Sequence, residues 1–346
     1  MSSSNNRIIQ FDVLRIVAAF AVVWLHTSAQ RFYTSYPSIE WDARNFYDSL
    51  VRWAVPIFVM ISGALFLDPQ KKLSIKTLYK KNVTRVVLIY IFWSITYGLY
   101  YWMEDKDLKR LAFEIIHGPF HFWFIKMLIG LYIAVPILRV IVVDKKVEQY
   151  FICLSLVTAF IIPMLFPILG CISDGAKDLA EYFYEAFEIK IALGHVGYFV
   201  LGHYLVNYKL KETAKRMIYI LGILSIFAVC MLTSFASSQV GKPYLLFYEN
   251  TNVFTLFEAV ALFIVINDIK IAPKYHQTLI SASQLSLGIY IIHPLVMYVL
   301  SDYGNIDSAS LNPMYFIPLF ALIVFMISYC VSFVLVRIPF IKRFMM

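Results

Sequence analysis

Charge is scarce in this sequence. Only 15% of its 346 residues are Asp, Glu, Lys or Arg, where an ordinary soluble domain carries about 25%. Apolar residues make up 60%, and the mean hydropathy is +0.71. Cytosolic enzymes, secreted enzymes and nucleic-acid readers are thereby disfavoured. Cysteine is scarce too: Cys153, Cys171, Cys230 and Cys330 show no CxxC spacing, and three of them sit inside apolar runs. Neither a disulfide framework nor a zinc site follows. The chain also lacks a glycine-rich phosphate loop, a low-complexity linker and a defensible internal repeat. With short, unequal loops, it reads as a single domain over 1–346.

What the sequence does have is long apolar runs. At about 20 residues per span, ten fit, near 8–28, 49–68, 83–103, 120–141, 149–170, 190–207, 215–235, 251–267, 282–301 and 315–337. The expected fold is an all-α integral membrane protein, a single bundle of about ten transmembrane helices. The first run is not a cleavable signal, because Asp12 and Arg15 interrupt it, no small-residue cleavage site follows, and a second span comes soon after. Between spans, 171–190 is expected to form a short amphipathic helix on the outer face, since Leu179, Phe183 and Phe187, with Tyr182 and Ala186, recur at helical spacing.

The net charge of +8 is explained by loop topology. An even number of spans puts both termini on one side. If that side is the cytoplasm, nineteen Lys and Arg lie inside, six of them in the segment holding Lys71, Lys72, Lys76, Lys80, Lys81 and Arg85, against eight outside, Lys190 among them. This is a positive-inside bias, so both termini are expected in the cytoplasm of a multi-pass protein surrounded by lipid, with no nucleic-acid partner.

Function then has to come from polar groups that a bilayer ordinarily excludes. A charge near the bilayer centre costs about 2.5–3.5 kcal/mol on insertion scales. The first helix carries Asp12, Arg15 and His26. Arg15 and His26 are eleven residues apart, which returns them to nearly the same face with His26 about 16 Å further along the axis. The simpler alternative is that Asp12 and Arg15, at i and i+3, neutralise each other while His26 reaches the outer interface beside Trp24. His117, His121 and His195 are expected to join His26 at one level, with His203 and His293 nearer mid-membrane and His276 cytoplasmic. The spacing of His117 and His121 is broken by Gly118-Pro119, which argues against a metal site. His293 precedes Pro294, so a structural role at a kink is expected there.

At these residues the sequence resembles the acyltransferase-3 family of membrane acyltransferases. The family's opening helix carries an aspartate, an arginine three residues on and a histidine after ten more, matched by Asp12, Arg15 and His26. Its VPxFFxxSG segment is matched by Val55, Pro56, Phe58, Ser62 and Gly63, and its HxWF…LxGLY…P segment by His121, Trp123, Phe124, Gly130, Tyr132 and Pro136. Its SxGIYLxHP segment is matched by Ser286, Gly288, Tyr290, His293 and Pro294. The subgroup it most resembles is the stand-alone, enterobacterial-common-antigen type of O-acetyltransferase. One departure stands out: the family's RxxR pair is KKNVTR here, so Arg85 matches while Asn82 takes the earlier arginine position beside Lys80 and Lys81. Lysine meets phosphate as a point charge and not as a bidentate fork, so phosphate recognition is expected to survive with altered geometry. The chain ends soon after the tenth run and is expected to work without the extracytoplasmic hydrolase-like domain that some members append.

The resemblance implies transfer of an acetyl group from cytoplasmic acetyl-CoA to a hydroxyl of a cell-surface glycan or lipid-linked sugar, in the cytoplasmic membrane of a bacterium. Arg15, Lys80, Lys81 and Arg85 are the expected holders of the CoA phosphates. His26, with an ordinary imidazole pKa near 6.5, suits a general base or a transient acyl carrier. Glu258 has two readings, as the carboxylate that orients or charges an imidazole and as a structural partner of Lys126. Arg52, His121 and Trp123 are expected to line the sugar pocket, or else to belong to an interfacial belt. A homo-oligomer is compatible with all of this. The rival reading is a transporter or flippase of a lipid-linked glycan, which would also use buried charge; against it, no repeat or matching pair of broken helices is found.

Overall fold

The computed structural model describes residues 7–188 and 192–345. Lys190 and the start of the run expected at 190 lie outside them. The described residues are helical, with no strand among them. In chain order the helices are α1 (Ile9–Ala29), α2 (Ile39–Ser49), α3 (Ala54–Phe66), α4 (Ile75–Thr77), α5 (Thr84–Asp105) and α6 (Leu108–His117). Then come α7 (Trp123–Ile141), α8 (Lys145–Ser155), α9 (Ile162–Ile172), α10 (Asp174–Ala186), α11 (Val196–Asn207) and α12 (Glu212–Val240). The last are α13 (Val253–Asp268), α14 (His276–Ser283), α15 (Ser286–Asp302), α16 (Pro313–Leu335) and α17 (Pro339–Lys342).

Among the described residues, eight helical stretches are long and apolar enough to cross a bilayer, and α14 with α15, bent by 50°, makes a ninth. This is an integral membrane helical protein. The remaining expected span, 190–207, is represented by α11, a helix of 12 residues, which at 1.5 Å per residue falls well short of the roughly 30 Å hydrocarbon thickness. Two further helices replace stretches expected as loops. Ser38 caps α2 by accepting from the Trp41 amide, and Asp107 caps α6, which Gly118 ends in a positive-φ conformation ahead of Pro119. Both are short and partly polar, so a search for runs of about 20 apolar residues passes over them. The helix expected over 171–190 is α10, started by the Ser173 cap and carrying exposed Leu179, Tyr182 and Phe183, with exposed Phe187 just past its end, the character of a helix that lies at a membrane surface.

The chain forms two compact units. The first comprises residues up to Arg31 with Lys71–Pro136 and Ile269 onward, the second Phe32–Gln70 with Ile137–Asp268. In the first unit α1 packs on α14, α15 and α16, and α5 on α6. Trp93 of α5 donates to the Phe344 carbonyl at 2.9 Å, and Tyr97 donates to the Ile291 carbonyl at 2.7 Å, tying α5 to the chain's end and to α15.

In the second unit the tightest crossing is that of α3 and α11. A Cβ on Gly63 would lie 1.7 Å from the Phe199 carbonyl oxygen, and one on Gly202 would lie 2.0 Å from the Met60 carbonyl oxygen. Each glycine lets the other helix's backbone in, the small-residue contact by which membrane helices associate when no hydrophobic force drives them together. Gly63, read above as part of a family motif, is therefore a packing residue. At one end of this unit Phe32, Trp41, Val229 and Tyr248 form a buried cluster.

Candidate active site

The polar stripe of α1 begins at Asp12, which is fully buried. Arg7 grips it with two nitrogens, Nε to Oδ2 at 2.8 Å and Nη2 to Oδ1 at 2.6 Å. Ser283 at the end of α14 donates to Oδ1, and Arg15 reaches the same oxygen at 3.3 Å. The carboxylate in turn holds the Arg7 guanidinium above its already high ordinary pKa, so that cation stays charged at every physiological pH. The simpler alternative, in which Asp12 and Arg15 pair, is present but incomplete. Arg7 is the principal partner, and Arg15 makes only one long contact at the edge.

The other basic residues expected to meet phosphate lie at the start of α5. Leu78–Val83 winds as a π-helix, a widened turn that often marks functional positions, and Thr84 Oγ1 donates back to the Tyr79 carbonyl at 2.8 Å. Lys80 and Lys81 belong to this turn, and Arg85 follows it; all three are exposed. Among the described residues none of the three is ion-paired.

Further along α1, His26 meets aromatic rings. Its imidazole stacks on that of His293 with centroids 5.1 Å apart and planes 29° apart, and Phe120 meets it edge-on at 5.2 Å. His293 lies in turn 5.8 Å from His121. His121 is buried, edge-on to Tyr97 at 5.3 Å and to Tyr290 at 5.6 Å, and the Tyr290 hydroxyl donates to the His121 carbonyl. His293 Nδ1 lies 3.2 Å from the Ile289 carbonyl, so Nδ1 carries the proton and Nε2 is the lone-pair nitrogen. Neither His293 Nε2 nor either ring nitrogen of His121 has a hydrogen-bond partner.

The histidines sort differently from the levels expected. His293, placed nearer mid-membrane by the sequence reading, is the one stacked on His26. His117 turns back onto Phe113 at 4.0 Å and lies near its carbonyl. His195 belongs to the second unit. Among the described residues no set of three His, Cys, Asp or Glu is arranged to hold a metal. Trp123, two residues from His121 in the sequence, is exposed. Tyr97, Tyr290 and His293 are the residues of this cluster that sequence reasoning did not assign to the site. Tyr290 and His293 were detectable in principle, since residues three apart share a helix face, but nothing in the spacing says which neighbouring helix that face meets.

The second unit holds the remaining candidates. Arg52 is ion-paired to Asp48, donates to the Tyr248 carbonyl at 3.1 Å and lies 3.7 Å over the Tyr248 ring. These contacts commit much of its guanidinium to local structure. Glu258 of α13 is 4% exposed, and neither carboxylate oxygen has a hydrogen-bond partner. Its expected structural partner, Lys126, instead donates to the His117 carbonyl at 3.1 Å. No imidazole is bonded to Glu258 either. A buried pair absent from the expectations is Glu148 with His203, Oε1 to Nδ1 at 2.8 Å, between α8 and α11.

A family model described as an acyltransferase domain, Acyl_transf_3, matches residues 8–337. The chain belongs to this family. Among curated proteins it is similar to probable poly-beta-1,6-N-acetyl-D-glucosamine export proteins of Staphylococcus aureus strains MRSA252 and MSSA476, each 23% identical over 294 residues, which cover 82% of this chain and 79% of the relative. No solved structure matches. The domain supports a membrane acyltransferase, and it spans the Asp12–Arg15–His26 stripe, the π-turn basic residues and the segment carrying Tyr290 and His293.

Proposed function

We propose that this chain is an O-acetyltransferase of the bacterial cytoplasmic membrane, both termini in the cytoplasm, which passes the acetyl group of cytoplasmic acetyl-CoA to a hydroxyl of a cell-surface glycan or lipid-linked sugar. The observation that carries the reading is the stacking of His26 on His293 at 5.1 Å, on a helix whose Arg15 lies eleven residues nearer the amino terminus. Arg15, Lys80, Lys81 and Arg85 are cations suited to the CoA phosphates, and the long pantetheine arm carries the thioester toward His26. A ring nitrogen of His26 takes the proton of the acceptor hydroxyl as its oxygen attacks the thioester carbonyl. The C–S bond breaks, and the leaving thiolate takes up that proton as free CoA. The alternative order, in which His26 first accepts the acetyl group and then yields it to the hydroxyl, uses the same residues. His293 supports a charged His26 by presenting its ring face, and His121 belongs to the acceptor end.

The test is turnover of labelled acetyl-CoA by the purified full chain. His26→Ala is expected to lower acetyl transfer by about 10²–10⁴ while acetyl-CoA still binds; wild-type turnover in a folded variant would remove His26 from the chemistry. Orientation is tested separately. Single cysteines introduced over 71–81 are expected to react only with membrane-permeant thiol reagents, and cysteines over 174–186 with impermeant ones. The opposite pattern reverses the donor side.

A second reading is favoured by one finding: the curated relatives are named as export proteins. Movement of a glycan by reconstituted protein, with no acetyl transfer from acetyl-CoA, would decide for it.

A further inference from the structure

Glu258 lines a groove of about 220 Å³ between α12, α13 and the residues leading into α3. The walls are mainly apolar, with Trp53, Gly222, Ile226, Ala261 and Leu262 among them, and Tyr219 also contributes. Two lining residues, Ile223 and Val265, are exposed on bilayer-crossing helices, so the groove opens toward lipid. Glu258 itself is 4% exposed with both oxygens unsatisfied. Most donors around it are engaged elsewhere: Trp53 Nε1 with the Leu50 carbonyl at 2.8 Å, the Tyr198 hydroxyl with the Asn250 carbonyl at 2.7 Å, and both Arg52 Nη atoms with Asp48 and the Tyr248 carbonyl; the Arg52 guanidinium acts on Glu258 through its charge, without a hydrogen bond, and its Nε has no hydrogen-bond partner.

A buried carboxyl group without a partner is costly and rare. Arg52 balances its charge in part, and a group from outside that hydrogen-bonds it reaches it along the groove. Water alone is a poor fit, because a buried water needs two to four polar partners and these walls are mostly carbon. A sugar ring has too many hydroxyls for one carboxyl. The volume holds roughly seven groups of about 30 Å³, which is the head and first part of an alkyl chain.

We infer that this is a bilayer-facing binding groove for a long-chain alcohol, whose chain lies along Ile226 and Leu262 and whose hydroxyl donates to the Glu258 carboxylate. The inference stands apart from the acyl-transfer reading and does not depend on what His26 does.

It is tested with the full chain in lipid nanodiscs, using dicyclohexylcarbodiimide, a reagent that reaches carboxyl groups from the apolar phase and leaves a stable acylurea readable by mass spectrometry. Glu258 is expected to be labelled, and Glu258→Gln to lose that label. Octanol is expected to slow labelling in a saturable way, and octyl methyl ether, with the same chain and no donor, to need roughly tenfold more for the same slowing, the worth of one good hydrogen bond. Ile226→Trp, which fills the groove, is expected to block labelling; should that variant not fold, the competition in the unmodified protein decides alone. Absence of labelling at Glu258, no slowing by octanol, or equal slowing by the ether each overturns the proposal.

Discussion

Asp12 and Glu258 are both buried acids on apolar helices, and their surroundings are opposite. Asp12 receives hydrogen bonds from Arg7, Arg15 and Ser283, while Glu258 receives none. The first is the arrangement expected of a structural acid, because an ion in a low-dielectric interior is tolerable only when paired and hydrogen-bonded. It joins the start of α1 to the end of α14, beside the bend before α15. The second leaves its binding capacity open, and an intramembrane ionisable group in that condition points to a ligand. Charge in a membrane helix is therefore not one signal. The partners decide whether it holds the fold or serves a site.

The sharpest way to break this comparison is to remove each acid in turn. Asp12→Ala leaves two partly exposed arginines without their shared partner and is expected to cost about 1.5–3 kcal/mol, read as a drop in thermal unfolding temperature in detergent. A near-normal unfolding temperature would show that Arg7 and Arg15 find water or lipid phosphate instead. The double change Asp12→Asn with Arg15→Gln removes the mismatch and is expected to restore expression. It should still weaken acetyl-CoA binding tenfold or more, because a charge-assisted phosphate contact is worth about 1.5–3 kcal/mol. Wild-type affinity in that double variant would make Arg15 merely a companion of Asp12. The smallest effect is expected at the other acid. Glu258→Leu, which removes an unsatisfied group from an apolar wall, should leave stability within about 1 kcal/mol of wild type or raise it; a loss as large as that of Asp12→Ala would mean that Glu258 has a structural partner after all.

Much of the fold was legible from the residues. The run expected at 8–28 is α1 at Ile9–Ala29, that at 83–103 is α5, and that at 315–337 is α16, since sustained apolar composition has few other outcomes in a chain with so little charge. The stripe of Asp12, Arg15 and His26 was equally legible, because spacing on one helix sets the angle between its side chains. The amphipathic α2 and α6 were not, being too short and too polar for a hydropathy reading. Nor was the shortness of α11, or the crossing at which its Gly202 admits the Met60 backbone of α3.

The sequence by itself determined the class of the protein, the order of its long helices and the polar face of the first. Only the tertiary structure decided that His293 and not His117 stacks on His26, that Arg7 and not Arg15 is the main partner of Asp12, and that Glu258 has no hydrogen-bond partner. The physical reason is the same in each case. Helical periodicity orders side chains around their own axis, but which of them meet is decided by how separate helices cross, and that depends on contacts between residues far apart in the chain.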